Sequence, residues 1–125
     1  LINAAANTAQ INALIAIAQA GYPTTKGLIV GNETLLVGAV SKAVLIQHIQ
    51  TVKNATGLPV TTAEPWHIWL NDDNSDLVSA VDFILLHIHP YWEKIPVEQA
   101  AAFVADRWKQ ISEKYPQKTV MLGEV

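Results

Sequence analysis

Four short apolar runs, each closed by a polar or aromatic residue, alternate along the chain with longer segments whose apolar positions recur at helical spacing. Residues 1 to 20 carry Ile2, Ile11, Leu14, Ile15 and Ile17 on a broad apolar face, which predicts a helix with no capping residue before it. Gly21-Tyr22-Pro23 stops it. The run "LIVGNE" (28–33) reads as a strand buried on both faces. Leu45, Ile46, Ile49 and Val52 then form one stripe of a helix over about 41–55, with Ser41 as its N-cap. After Gly57-Leu58-Pro59, "PVTTAEPW" holds a second strand over about 58–63. "NDDNSDLVSA" reads as a polar loop passing into a short helix, with Asp72, Asp73 and Asp76 solvated or capping. "VDFILLHIH" is a third strand ended by Pro90. Pro96 opens the helix "PVEQAAAFVADRWKQISEKY", which places Trp108 at core spacing. Pro116 ends that helix, and "KTVMLGEV" is the fourth strand.

Helix and strand therefore alternate four times with a period of about 30 residues, the pattern of parallel strands joined by right-handed crossovers. An open doubly wound sheet and a (β/α)8 barrel both fit. The open nucleotide-binding form carries a Gly-rich phosphate loop after an early strand, and neither "GLIVGNE" nor "GLPVTTAEP" supplies one. All four strands instead finish on polar or aromatic residues, and strand C-termini are where a barrel keeps its active site. The expected fold class is α/β, a partial (β/α)8 TIM barrel of about four parallel strands with their helices. A whole barrel needs about 250 residues. Residues 1–125 thus read as one barrel domain truncated at both ends, with two open sheet edges through which self-association is possible.

Composition narrows the function classes. Half of the 125 residues are hydrophobic and 15% are charged, which is the balance of a folded chain. A net charge of -3 leaves no basic footprint for nucleic acid. No apolar run has the roughly 18 residues of a membrane span. Without cysteine there is neither a disulfide nor thiol chemistry.

The chemistry lies at the strand ends. Glu33 and Glu124 close the first and fourth strands, three βα units apart, so that a barrel delivers both to its mouth. Two carboxyl groups about 5–5.5 Å apart, one protonated and one ionised, are the apparatus of a retaining glycosidase. Taken singly, each reads first as a loop charge or a cap, and only the pair at matching strand ends brings the catalytic reading level with it. Glu64 is placed either to bond a sugar hydroxyl or to pair with a histidine. His87 and His89, two apart on a strand, share a face and point into the mouth. With Glu64 they also suggest a metal-dependent barrel hydrolase, although a carboxylate-lined cleft partners them without any metal or cofactor. Trp66, Tyr91 and Trp92 follow the strand-end motifs and offer flat faces for pyranose rings. Trp69 is equally suited to the outside of the barrel, and His48 is expected at the surface. A non-catalytic carbohydrate-binding or structural fragment is the third reading.

Taken together, "LIVGNE", "PVTTAEPW", "HIHPYW" and "VMLGEV", in this order and spacing, resemble glycoside hydrolase family 17, the β-1,3-glucanase family, over essentially the whole chain. Similarity is greatest to its bacterial exo-glucanase and transglycosylase branch. The resemblance implies strands four to seven of the barrel, Glu33 as general acid/base and Glu124 as nucleophile. It implies Asn32 as the partner of the sugar 2-hydroxyl, a β-glucan substrate, and a periplasmic, secreted or membrane-associated location. By itself the chain is expected to be inactive. One departure stands out. Where many members have Asn-x-Tyr-Pro after strand six, this chain has His87-Ile88-His89-Pro90, so His89, or else Tyr91, takes the tyrosine's place beside the nucleophile.

Overall fold

The computed structural model describes residues 3–125. Its elements are α1 (Ala4–Gln19), β1 (Leu28–Asn32), α2 (Lys42–Thr56), β2 (Val60–Pro65), α3 (Trp66–Leu70), α4 (Ser75–Ala80), β3 (Ile84–His87), α5 (Val97–Lys114) and β4 (Val120–Glu124). A 3-10 turn over Asp72–Asn74 links α3 to α4. The four strands form one parallel sheet in chain order, β1-β2-β3-β4. Each crossover steps to the adjacent strand on the same side of the last, as barrel winding requires.

Local chemistry explains most boundaries. Asn3 caps α1, accepting from the Ala6 N–H at 3.0 Å, so the helix begins later than the apolar pattern suggests and does have a cap. Ile2 lies outside the described residues. Of the expected apolar face, Ile11, Leu14 and Ile15 are half-buried, whereas Ile17 is exposed. Ser41 caps α2 as expected, and Gly57 ends that helix in the left-handed conformation with φ 66°. Pro96 is the N-cap of α5 and not its first residue. The second strand runs two residues further than expected, which carries Glu64 into the sheet. The segment expected as a polar loop passing into a short helix holds the 3-10 turn and α4, and a further helix, α3, precedes it.

The core lies between the sheet and the helices, around Leu45, Ile49, Val52, Trp69, Leu77, Ile84 and Ile111. β2 and β3 are buried along their whole length. The outer strands are not. β1 buries Leu28 and Val30 against the helices but exposes Ile29, and β4 exposes Met121 and Leu122. The expectation that β1 is buried on both faces fails for a positional reason: it is a sheet edge, and among the described residues nothing covers its second face. Trp108 is not a core residue. It is 41% exposed on α5, with Nε1 donating to the Val120 carbonyl.

Candidate active site

Both candidate glutamates stand just past an irregularity in their strand, and each irregularity contains a glycine. In β1, Ile29 pairs with Thr61 but Asn32 with Ala63, so one extra residue is accommodated around Gly31. Gly31 has φ 88°, and a Cβ there would lie 2.9 Å from Thr34 Oγ1. Glu33 is itself left-handed, with φ 52°, and its N–H is tied to the Ala63 carbonyl at 2.7 Å. In β4 the same slip falls between Leu122, opposite Leu86, and Glu124, opposite His87. A Cβ on the intervening Gly123 would meet the His87 ring at 2.8 Å. The His87 imidazole thus rests against bare backbone.

That ring joins the two carboxylates. His87 is almost fully buried at the end of β3, and its Nδ1 is 3.0 Å from Glu33 Oε1. Its Nε2 faces Glu124 Oε1 at 3.9 Å. His89 Nε2 stands 3.7 Å from Glu33 Oε1 and 3.6 Å from Glu124 Oε2. Both histidines therefore point into the mouth, as expected, and each lies between the same two acids.

Glu64 is the principal correction. It neither reaches a sugar nor pairs with a histidine, because it is wholly buried and both its oxygens are occupied. Oε1 accepts from Thr34 Oγ1 at 3.0 Å and from the Leu35 N–H at 2.8 Å, while Oε2 accepts from the Leu36 N–H at 3.3 Å. Its carboxylate closes the turn that follows Glu33, and so holds the backbone on which that acid sits. Glu64 also has no place in a metal set with the histidines. The carboxylate that comes together with His87 and His89 is Glu33, with one ligand atom from each of the three lying within 4.8 Å of the others.

A cleft of about 600 Å³ surrounds the cluster, lined by Glu33, Glu124, His87, His89, Trp66 and Trp92 together with Leu36, Pro65, His67 and Glu93. A larger groove of about 670 Å³ between α5 and β4 has no titratable side chain in its lining. Trp66 enters the cleft already engaged: Nε1 donates to Glu93 Oε1 at 2.6 Å, and the Arg107 guanidinium stacks 4.4 Å from its ring. Glu93 was absent from the sequence reading, where nothing but proximity to Trp92 distinguished it. Trp92 is exposed at the rim, and Tyr91 packs edge-on against it at 5.0 Å but stays out of the cleft lining. Tyr91 therefore does not stand beside Glu124, a position that His89 fills. Asn32 lines a neighbouring hollow with Thr34 and His48. Trp69 belongs to the core, its Nε1 shared by the Glu64 and Leu85 carbonyls at 3.1 Å each.

Three aspartates are held below their ordinary carboxyl range by lysine partners. At Asp82 burial alone would favour the neutral acid, but hydrogen bonds from Lys53 and the Val60 N–H outweigh it and hold the carboxyl below its ordinary range. The hydrogen bond from Lys114 does the same for Asp72, and that from Lys42 for Asp76. The Asp82 and Asp72 pairs fasten connecting segments to α2 and α5, and the Asp76 pair joins α4 to α2. Among the described residues no helix is long and apolar enough to cross a membrane.

Known proteins share the fold and much of the sequence. A family model for the BtgE/BtgC glycoside hydrolase domain matches residues 2–125. The probable glucan endo-1,3-beta-glucosidase btgC of Aspergillus fumigatus is 35% identical over 92 residues, which cover 66% of this chain and 13% of that protein. The glucan 1,3-beta-glucosidase of Schizosaccharomyces pombe is 28% identical over 81 residues, 60% of this chain and 25% of that protein. Among solved structures, the glycoside hydrolase family 17 beta-1,3-glucanosyltransferase from Rhizomucor miehei superposes with a TM-score of 0.82 at 26% identity, over 98% of this chain and 46% of that one. An active-site mutant of the same enzyme, in complex with laminaritriose, superposes with a TM-score of 0.80. The chain thus spans a small part of the curated relatives and less than half of the solved enzyme. The four parallel strands and their helices are those of a family 17 barrel, and the resemblance seen in the motifs holds at family level, with the relatives named here fungal.

Proposed function

Since this chain belongs to the BtgE/BtgC glycoside hydrolase domain family, we propose that it carries the catalytic carboxylates of a retaining enzyme acting on β-1,3-glucan. The observation that carries the reading is the convergence of Glu33 and Glu124, from opposite ends of the sheet, on one pair of imidazoles. Glu33 donates its proton to the glycosidic oxygen as the bond to C1 breaks, while a Glu124 oxygen forms the new bond to C1. The leaving sugar departs neutral, and a glycosyl-enzyme ester remains on Glu124. Glu33, now a carboxylate, takes a proton from water or from a sugar hydroxyl, whose oxygen displaces Glu124 from C1. Two inversions give retention. His87 and His89 orient the two acids, Trp92 offers its exposed face to a pyranose ring, and Trp66, braced by Arg107 and Glu93, forms the adjoining wall.

Transfer to a second sugar is favoured as the second step by the likeness to a glucanosyltransferase. The same likeness supports a role for residues 1–125 as part of a larger barrel, whose further strands, or those of a second copy, would cover Ile29, Met121 and Leu122. Proton NMR of laminarin digestion by the whole barrel that contains residues 1–125 tests the chemistry. The first-formed product should be the β-anomer, and Glu33→Gln and Glu124→Gln should each abolish turnover. An α-anomer as first product, or normal rates in Glu124→Gln, overturns the assignment.

A further inference from the structure

His87 and His89 bring two imidazoles to the carboxylate of Glu33. Glu33 Oε1, a nitrogen of His87 and a nitrogen of His89 all lie within 4.8 Å of one another. Zinc holds imidazole nitrogen and carboxylate oxygen at about 2.0–2.1 Å in tetrahedral geometry, which sets neighbouring ligand atoms about 3.3 Å apart. The observed Glu33 separations, 3.0 Å to His87 Nδ1 and 3.7 Å to His89 Nε2, straddle that spacing, and the two imidazole nitrogens, at most 4.8 Å apart, close on an ion by moving together by up to about 1.5 Å. An ion there replaces the proton that Nδ1 and Oε1 share.

The surroundings suit an ion as well. His87 Nε2, the nitrogen left over, faces the Glu124 carboxylate, the arrangement that orients a ligating imidazole from behind. Glu124 Oε2, 3.6 Å from His89 Nε2, offers a fourth ligand or leaves the position to water. The site is not sealed, since the Glu33 and His89 side chains each retain about a quarter of their exposure, 25% and 26%. Two imidazoles with one carboxylate select zinc and copper over magnesium and calcium, which prefer all-oxygen sets.

We propose that Glu33, His87 and His89 form a reversible, inhibitory site for a first-row transition-metal ion of the Zn2+ or Cu2+ kind. Binding itself requires only the geometry above. Inhibition rests on the proposed function, because the ion occupies the oxygen with which Glu33 must deliver its proton.

Calorimetric titration of the protein with zinc chloride, without substrate, reads the site directly. One saturable equivalent is expected, weakened at least tenfold by His89→Gln and by Glu33→Gln and unchanged by His48→Gln, which lies on α2 away from the cluster. Circular dichroism of each variant establishes that the fold is retained. Absence of saturable binding in the micromolar range, or equal binding by a folded His89→Gln, overturns the site. Laminarin turnover is measured separately. Zinc should suppress it and EDTA restore it, with His89→Gln resistant relative to its own metal-free rate. If EDTA instead abolishes turnover and zinc restores it, the metal is an activator, and both the inhibitory site and the two-carboxylate mechanism fall. Loss of the zinc effect alone, with retention of anomeric configuration intact, removes only the metal site.

Discussion

Adding one methyl group at Gly123 is the most direct probe of how the cluster is held. A Cβ there would stand 2.8 Å from His87 Cδ2, 2.9 Å from Nε2 and 3.0 Å from Leu85 Cγ. Comfortable carbon contacts begin near 3.5 Å, so the ring must retreat by roughly 0.7 Å. It has little room to do so, because His87 is 2% exposed. Overpacking of this kind costs about 1–3 kcal/mol. A shift of that size also lengthens the 3.0 Å bond from Nδ1 to Glu33 past useful hydrogen-bond range and swings Nε2 relative to Glu124. Misplacement by about 1 Å at a reacting group costs on the order of 100-fold in rate. Gly123→Ala should therefore lower the urea midpoint measurably and cut laminarin kcat by about two orders of magnitude, with little change in KM. Gly57→Ala is the control. Its φ of 66° makes the substitution destabilising by about 1–2 kcal/mol, but nothing lies within 4 Å of the new Cβ, so kcat should hold. Wild-type kcat in Gly123→Ala would refute the packing argument, as would equal kcat losses in the two variants.

Glu64→Ala removes the acceptor for two backbone N–H groups and a hydroxyl, and should cost about 3 kcal/mol by urea denaturation while lowering kcat through the turn that carries Glu33. The Asp82 carboxyl is held below its ordinary range when folded, so its contribution is present near neutrality and lost as pH falls through the folded value. Unfolding free energy should accordingly drop below about pH 4, and Asp82→Asn should flatten that drop in acid urea melts. Trp92→Ala deletes an exposed stacking face worth about 1 kcal/mol, so KM for laminarin oligosaccharides should rise roughly fivefold with kcat little changed.

The alternation of elements and the gathering of strand ends were legible because they follow from periodicity and from turn residues such as Gly57 and Pro116. Glu33, Glu124, His87 and His89 were legible for the same reason: strand ends of a parallel sheet meet at one rim. The task of Glu64 was not. Its partners are backbone N–H groups at 35 and 36, which no side-chain pattern announces. The short helix α3 escaped because five residues hold barely more than one turn, too few to display a helical period. Tyr91 and Asn32 fall outside the cleft lining because residue spacing predicts side-chain direction only in regular structure. At Gly31 and past Pro90 the backbone is irregular, and a one-residue offset redirects the side chain.

The glycine-linked slips in β1 and β4 also bear on transplanting such a site. Grafting two glutamates onto another parallel sheet at matched rim positions would not reproduce it, since a regular pleat fixes which way the last side chain points. The transferable unit is a segment, Gly31-Asn32-Glu33 on one strand and Gly123-Glu124 on another, together with the imidazole that rests on the second glycine. A designer who copies the carboxylates but straightens the strands would aim them elsewhere.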